Sequence, residues 1–197
     1  MLAAGESLRF GRNKLLEPFR GATLVHHVVA AALESGLAQV AVVLGNEGDR
    51  VRAALAPLGR DGRLGFVNNE AFAEGQSTSV VAGLEAVGDE TEAVMFLLAD
   101  QPAISAAILD RLIEAFYSSD GTICLPTWIG QRRNPVIFGA QHFPALRALT
   151  GDAGGRSVIE TNPEDVIAVP FDEELPFRDV DRENDLHDLA RMTEGKR

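Results

Sequence analysis

Short apolar runs alternate along this chain with longer stretches of helical period, and this alternation limits the fold more than any other feature. Residues 39–44 (QVAVVL) and 93–98 (AVMFLL) are rich in β-branched or large apolar side chains, as strands buried on both faces are. Residues 23–35 (TLVHHVVAAALES) have helical period, and Gly36 stands where a helix C-terminus is capped. Further helices are expected over 47–58, 77–87, 105–117 and 182–192, with weaker strands over 64–68, 122–125, 136–138, 166–169 and 178–181. Strands alternating with helices of this length imply βαβ units. The expected fold is α/β: a single-domain, Rossmann-like architecture with a mostly parallel sheet and helices on both faces. The opening residues 1–4 read as only the end of a first strand, because a loop begins at Gly5 and a strand normally takes about five or six residues. Either that strand is short or the chain begins upstream of Met1.

The 197 residues suit one domain spanning residues 1–197, since a domain takes about 150 residues. Apolar residues make up 46% and charged residues 24%, which excludes a disordered or coiled-coil chain. Eighteen Lys and Arg against 29 Asp and Glu give a net charge of −11, which disfavours a general nucleic-acid binder because phosphates would be repelled. A single small phosphorylated ligand remains compatible, since a local pocket can oppose the global sign. Cys124 is the lone cysteine, so intrachain disulfides and cysteine zinc sites are excluded and a reducing compartment is expected. No apolar run approaches the roughly 18 residues of a membrane span, and no charged stretch precedes an apolar one at the N-terminus. A cytoplasmic protein without membrane attachment is the expectation.

Residues 2–14 (LAAGESLRFGRNK) carry the most chemistry. Gly5 and Gly11 lie among the cations, on either side of Arg9 and ahead of Lys14, directly after an apolar strand end. Glycines let backbone N–H groups approach a phosphate, and cations neutralise it. In open α/β sheets, ligands bind outside the carboxyl ends of the strands, where this loop would lie. Neither a Walker A sequence nor a GxGxxG fingerprint is present, and a polar strand–helix loop with incidental basic residues would look the same. Asp100 follows an apolar run and should emerge at the carboxyl end of a central strand, where a carboxylate can hold Mg²⁺ or simply make the turn before Pro102. Asp179 and Asp181, at i and i+2, would share one face of a short strand, and Asp181 is equally placed to cap a helix starting at Arg182. In residues 75–79 (GQSTS) the hydroxyls stand at a helix N-terminus, either for a ligand or for ordinary capping by Ser77 or Thr78.

The pattern LAAGxSxRFGxxK resembles the signature loop of the MobA-like nucleotidyltransferases, which transfer a nucleotidyl group from an NTP to a phosphorylated acceptor. LAAG with Ala4 resembles the molybdenum-cofactor cytidylyltransferase (MocA-like) branch, whereas the guanylyltransferase branch usually has a second Gly at that place. Residues 69–84 (NEAFAEGQSTSVVAGL), 97–102 (LLADQP), 130–138 (GQRRNPVIF), 151–156 (GDAGGR) and 179–186 (DVDRENDL) recur in the family's order. The resemblance implies nucleotide contacts from Leu2, Ala3, Ala4, Gly5, Gly11, Lys14, Asn69, Ser77 and Ser79. It implies catalytic roles for Arg9, Lys14 and Asp100, Mg²⁺ on Asp100 and Asp181, and acceptor contacts from Asn134, Asp152 and Arg156. Two departures stand out: Arg182 occupies a place where the family often has Thr, and Arg133 and Asn134 replace the Gly and His of a frequent Gly-Arg-Arg-Gly-His-Pro pattern. The second departure bears on the acceptor more than on the reaction.

The resemblance implies transfer of CMP from CTP to the terminal phosphate of a molybdopterin-type cofactor, with release of pyrophosphate and a molybdoenzyme as a possible partner. Alternatives are a transferase using GTP, one acting on a sugar phosphate, and a non-catalytic accessory protein that binds a nucleotide or cofactor. The combination of Arg9, Lys14, Asp100 and Asp181 favours an enzyme, since a binding module has no need for two metal-holding carboxylates. His26, His27, His142, His187 and Cys124 show no ligand spacing, and the absence of a GxSxG elbow excludes a serine hydrolase of that type.

Overall fold

The computed structural model describes residues 1–88 and 90–194. In chain order its strands are β1 (Leu2–Ala3), β2 (Pro18–Phe19), β3 (Ala22–Thr23), β4 (Val40–Leu44), β5 (Leu64–Asn68), β6 (Ala93–Phe96), β7 (Ile123–Trp128), β8 (Gln131–Arg132), β9 (Val136–Gly139) and β10 (Val166–Phe171). The α-helices are α1 (Leu24–Glu34), α2 (Gly48–Ala54), α3 (Gln76–Val87), α4 (Ala106–Tyr117), α5 (Phe143–Arg147), α6 (Arg156–Thr161) and α7 (Glu183–Glu194).

Two residues make up β1, yet it sits in mid-sheet. It pairs in parallel with β4, and β4 pairs in parallel with β5. On its other side the Leu2 N–H donates to the Leu97 carbonyl at 2.9 Å, and the Ala99 N–H donates to the Leu2 carbonyl at 3.2 Å. That parallel bridge joins the two main ladders into one sheet in the order β5-β4-β1-β6-β9-β7-β10. The α/β fold class and the predominance of parallel pairing agree with the sequence reading. The exceptions in this sheet are β9, antiparallel to both β6 and β7, and β8, antiparallel to β7, because the connection from β7 to β9 is too short for the crossover a parallel return requires; β2 and β3 form a separate antiparallel pair.

Side-chain alternation divides the core across this sheet. Met95, Cys124 and Ile137 belong to one cluster with Val25, Val28, Val29 and Ala32 of α1, Val51 of α2, and Leu109 and Leu112 of α4. Their chain neighbours Phe96, Ile123, Leu125, Val136 and Phe138 belong to the opposite cluster, with Val80 and Leu84 of α3, Leu146 of α5, and Val158 and Ile159 of α6. Period-two alternation thus places helices on both faces. A third, smaller cluster (Phe10, Phe19, Leu24, Val180, Leu186 and Leu189) packs the loop after β1 against the β2–β3 hairpin and α7. Among the described residues, no helix is long and apolar enough to cross a membrane.

Several elements differ from the sequence reading. Residues 178–181 form no strand; they run alongside the end of β6 with a single backbone link, from the Val180 N–H to the Asp100 carbonyl at 3.0 Å. The 47–58 helix is cut at Ala54, and residues Ala56–Leu58 continue as a 3₁₀ turn containing Pro57, which lacks the N–H an α-helix needs. The β2–β3 hairpin, β8, α5 and α6 are two to six residues long, too short to show a period.

Gly75 is required where it stands. Its φ is +122°, and a Cβ there would overlap the backbone of Gly151 and come within 2.8 Å of the Asp152 nitrogen. The close approach lets the Ser77 N–H donate to the Gly151 carbonyl at 3.1 Å, seating residues 151–155 against the start of α3. Gly75→Ala is expected to cost about 1–3 kcal/mol of stability in urea denaturation. Gly62→Ala, with nothing within 4 Å of its Cβ position, should change stability by no more than about 0.5 kcal/mol. Equal effects of the two substitutions would contradict the steric account.

Candidate active site

A cleft of about 450 Å³ opens at the carboxyl ends of β1 and β6, where ligands of open α/β sheets bind. The loop after β1 forms its wall. Ser7 takes the left-handed conformation (φ 55°), and its carbonyl accepts from the Phe10 and Gly11 N–H groups at 2.9 and 3.2 Å. Its hydroxyl accepts from the Lys14 N–H at 3.3 Å. The buried Asn13 side chain accepts from the Leu15 N–H at 3.1 Å and ends the loop. Arg12 is committed to structure: its guanidinium is held two-pronged by Glu17 at 2.6 and 2.8 Å and reaches Glu183 at 2.9 Å. Those hydrogen bonds, ahead of slight desolvation, raise its affinity for its proton. Arg9 is left 74% exposed at the cleft.

Three distant parts of the chain meet at Lys14. Its ammonium lies 2.7 Å from Asp100 Oδ2 and 2.9 Å from Asp181 Oδ1, and Arg9 approaches Asp181 Oδ2 at 3.3 Å. Burial alone would lower the Lys14 pKa, but Asp100 and then Asp181 outweigh it and hold the group above its ordinary 10.5. The hydrogen bond from Lys14 is the main cause that keeps the Asp181 carboxyl below its ordinary 3.8. Asp179 behaves oppositely: burial, and after it the charge of Asp100, push its pKa up, while Gln101 donates to it at 2.8 Å. The Asp181 carboxylate is turned to Lys14 and Arg9 rather than to the start of α7, and Asp185, in the first turn of that helix, accepts through Oδ2 from the Asp181 and Arg182 N–H groups at 3.0 and 2.7 Å. This leaves the Asp181 carboxylate in the cleft.

The cleft gathers most of the residues singled out in the sequence. Leu2, Ala3, Ala4, Gly5, Arg9, Lys14, Ser79, Asp100, Asp152 and Asp181 line it. Gly11, Asn69 and Ser77 stand behind the lining. Gly11 turns the loop (φ 78°), and Ser77 is buried. Asn69 donates to the hydroxyls of Thr78 and Ser79 at 2.9 and 3.0 Å. Asn134 and Arg156 line an adjoining cleft of about 680 Å³ with Arg132 and Arg133, over a floor that includes Phe96 and Phe138. Leu2, Gln76 and Leu98 belong to both clefts. Arg156 pairs with Glu160 at 2.8 Å. Arg133 lies over the Trp128 ring at 5.5 Å and within 3.5 Å of Glu174. Sequence reasoning missed Gln76 and Phe72 as lining residues, although the segment 69–84 contained both.

The donor set suits a hard divalent cation. The Oδ1 atom of Asp100 is buried without a hydrogen-bond partner. No group of three or more His, Cys, Asp or Glu side chains able to hold a metal occurs among the described residues; the carboxylates that meet at Lys14 and could be offered to one ion in this cleft are Asp100 and Asp181. Mg²⁺ is commonly held in this way, by one or two carboxylates with phosphates and water completing the shell.

An open α/β sheet with a basic glycine loop after its first strand and a carboxylate after a central one defines a nucleotidyltransferase-type fold. A homologue of Rv0371c from Mycobacterium sp. strain JC1 superposes with a TM-score of 0.83 over 98% of this chain and 96% of that one, at 28% identity. A nucleotidyl transferase from Methanothermobacter shares the fold at a TM-score of 0.82, over 100% of this chain and 96% of that one, at 22% identity. The MobA-like NTP transferase domain model matches residues 1–166, and the chain belongs to that family. Among curated relatives it is 31% identical to nicotine blue oxidoreductase of Paenarthrobacter nicotinovorans, covering 96% of this chain and 94% of that protein. It is 30% identical to the purine catabolism protein PucB of Bacillus subtilis, covering 81% and 78%. Rv0371c of Mycobacterium tuberculosis, 27% identical with a TM-score of 0.78 over 96% of this chain and 95% of that one, has been solved in complex with manganese.

The ion pairs set a pH dependence whose sign can be worked out. The Asp181 pKa is lower folded than unfolded, so its contribution to stability is present above the ordinary 3.8 and is lost as pH falls through the folded value. In urea denaturation, Asp181→Asn should be less stable than the wild type at pH 7, and the gap should shrink as pH falls below 3.8. A gap unchanged down to acid pH would mean that the ion pair contributes nothing.

Proposed function

We propose that this chain is a divalent-cation-dependent nucleotidyltransferase that transfers CMP from CTP to the terminal phosphate of a molybdopterin-type acceptor. The observation that carries the reading is the convergence of Lys14, Asp100 and Asp181 in the cleft that the glycine loop forms. In the reaction an oxygen of the acceptor phosphate attacks the α-phosphorus of CTP, the bond from that phosphorus to the bridging oxygen breaks, and pyrophosphate leaves with the electron pair. Such a transfer asks the protein mainly for alignment and charge stabilisation.

Leu2, Ala3, Ala4, Gly5 and Ser79 line the cleft and receive the nucleotide, with Asn69 and Ser77 supporting from behind and Gly11 shaping the loop. Lys14 and Arg9 neutralise charge on the α-phosphate and the departing pyrophosphate. Asp100 and Asp181 hold the Mg²⁺, which when bound supplies positive charge at the α-phosphate. The acceptor lies in the adjoining cleft against Asn134 and Arg156, with Asp152 on the nucleotide side. Ala4 supports CTP over GTP through its resemblance to the cytidylyltransferase branch. A molybdoenzyme partner and a cytoplasmic location belong to the same reading.

The name of the Paenarthrobacter relative supports a second reading, in which a reducing dinucleotide occupies the same cleft and the product is a reduced pigment-like acceptor. Thermal stability with CTP, GTP, ATP, UTP, NADH and NADPH, each with and without Mg²⁺, separates these readings, since a ligand bound only by the folded state raises the melting temperature. The largest Mg²⁺-dependent rise is expected with CTP. A largest rise with GTP moves the chain to guanylyl transfer, and a Mg²⁺-independent rise with NADH or NADPH alone favours the redox reading. Asp100→Ala should lower pyrophosphate release by roughly 10³-fold with an unchanged far-ultraviolet spectrum. Lys14→Ala should lower both nucleotide affinity and rate, and retained turnover in either variant would overturn its assigned role.

A further inference from the structure

We propose that Gln101 is a positioning residue for the cation site, acting through Asp179 to hold Asp181 opposite Asp100. The inference rests on the reading of Asp100 and Asp181 as the cation's ligands. It begins from a mechanical problem. Asp181 comes from residues 178–181, which lie beyond the last strand, β10, and take no part in the sheet. Its carboxylate is 47% exposed, and among the described residues its partners are the ammonium of Lys14 and the exposed guanidinium of Arg9. Both of those partners are cations that an incoming phosphate would attract. Asp181 therefore needs a fixed backbone that does not depend on them.

Gln101 is placed to supply it. The residue follows Asp100 directly, and it is 3% exposed. Its side-chain nitrogen donates to the Phe177 carbonyl at 3.1 Å and to Asp179 Oδ1 at 2.8 Å, which commits both hydrogens of the amide. One residue beyond the second anchor point the Val180 N–H donates to the Asp100 carbonyl at 3.0 Å, and the Val180 side chain is buried in one cluster with Phe10, Leu186 and Leu189. Residues 100–101, in the turn after β6, and residues 177–180 are thus joined by three hydrogen bonds, two of them from one side chain. On the far side of Asp181, its own N–H and that of Arg182 are tied to Asp185. Asp181 is therefore held on both flanks, and its carboxylate can stay 2.9 Å from the ammonium that also touches Asp100.

Asp179 takes part as an anchor rather than a ligand. One of its oxygens receives the Gln101 amide hydrogen, so the tie depends on an acceptor at this position and not on its charge. Partners that orient metal ligands typically change affinity by 10–100-fold when removed, and this is the magnitude expected of Gln101.

The test measures Mn²⁺ affinity of the protein without nucleotide, from the electron paramagnetic resonance signal of the free ion, because a triphosphate would itself bind the ion. Gln101→Met, which keeps the length and removes the donor, is expected to weaken Mn²⁺ by about 10-fold or more. In turnover it should raise the KM for Mn²⁺ by a similar factor and change kcat by less. Asp179→Asn keeps an acceptor for Gln101 and should stay within about threefold of the wild type, well below that 10-fold loss. Because Gln101→Met leaves a buried carboxylate without its donor, the double variant Gln101→Met/Asp179→Leu serves where the single one fails to fold, and it should show the same weakening. Mn²⁺ affinity within twofold of wild type in the folded Gln101→Met or double variant, while Asp181→Ala loses 10-fold or more, would overturn the proposal and leave the site assignment standing. An Asp179→Asn loss as large as that of Gln101→Met would also overturn it, by assigning the effect to charge. An unchanged affinity in Asp181→Ala would instead overturn the reading of Asp181 as a ligand.

Discussion

A single ammonium group joins three separate segments of this chain at the site. Lys14 comes from the loop after β1, Asp100 from the end of β6, and Asp181 from the segment that leads into α7, and its nitrogen touches both carboxylates. A largely buried Lys is unfavourable by itself, and two carboxylates facing one another are also unfavourable. Together each offsets part of the other's cost, because opposite charges within about 3 Å in a partly shielded cleft attract more strongly than in water. The same geometry suits the proposed chemistry. Two carboxylates that converge on one cation can converge on another, and an ammonium beside them is within reach of a phosphate.

The sheet brings the segments close enough for this contact. Although β1 has two residues, it lies between β4 and the end of β6, so the loop that follows it opens beside Asp100. Alternation of side chains in β6, β7 and β9 packs α1, α2 and α4 on one face and α3, α5 and α6 on the other. The close contact of Gly75 with Gly151 then draws residues 151–155 to the cleft and brings Asp152 into its lining.

Charge differs between the two clefts of this acidic chain, whose net charge is −11. In the first, Arg9 and Lys14 face Glu6, Asp100, Asp152 and Asp181, so carboxylates outnumber cations, as suits a site for a divalent cation. In the next, Arg132, Arg133 and Arg156 outnumber Glu160, and that local positive charge favours a small anionic ligand while the remaining surface repels polyanions. The roles of similar residues also separate by environment. Arg12 is bound two-pronged by Glu17 and also by Glu183, whereas Arg9, three positions earlier, remains largely exposed at the cleft.

Much of this was legible in the sequence. Long apolar or periodic runs such as residues 39–44, 64–68, 77–87 and 105–117 appear as strands or helices within a few residues of the expected bounds, because burial on one or both faces writes its period into the chain. The glycine loop with Lys14, and the placing of Asp100 after an apolar strand, likewise needed only local order. Tertiary structure decided the rest. Elements of two to six residues, such as β8 and α6, are held by their neighbours and leave no period to read. Residues 178–181, expected as a strand, lie beside β6 as a tethered extended segment, since one backbone link and the Gln101 side chain replace a ladder. Whether Asp181 would cap a helix or face a ligand could not be read from neighbouring residues. It depended on Asp185 holding the N–H groups of Asp181 and Arg182 just before α7 and on Lys14 arriving from the far end of the chain. Local propensity is written in adjacent residues, but a site built from distant segments exists only once packing has brought them together.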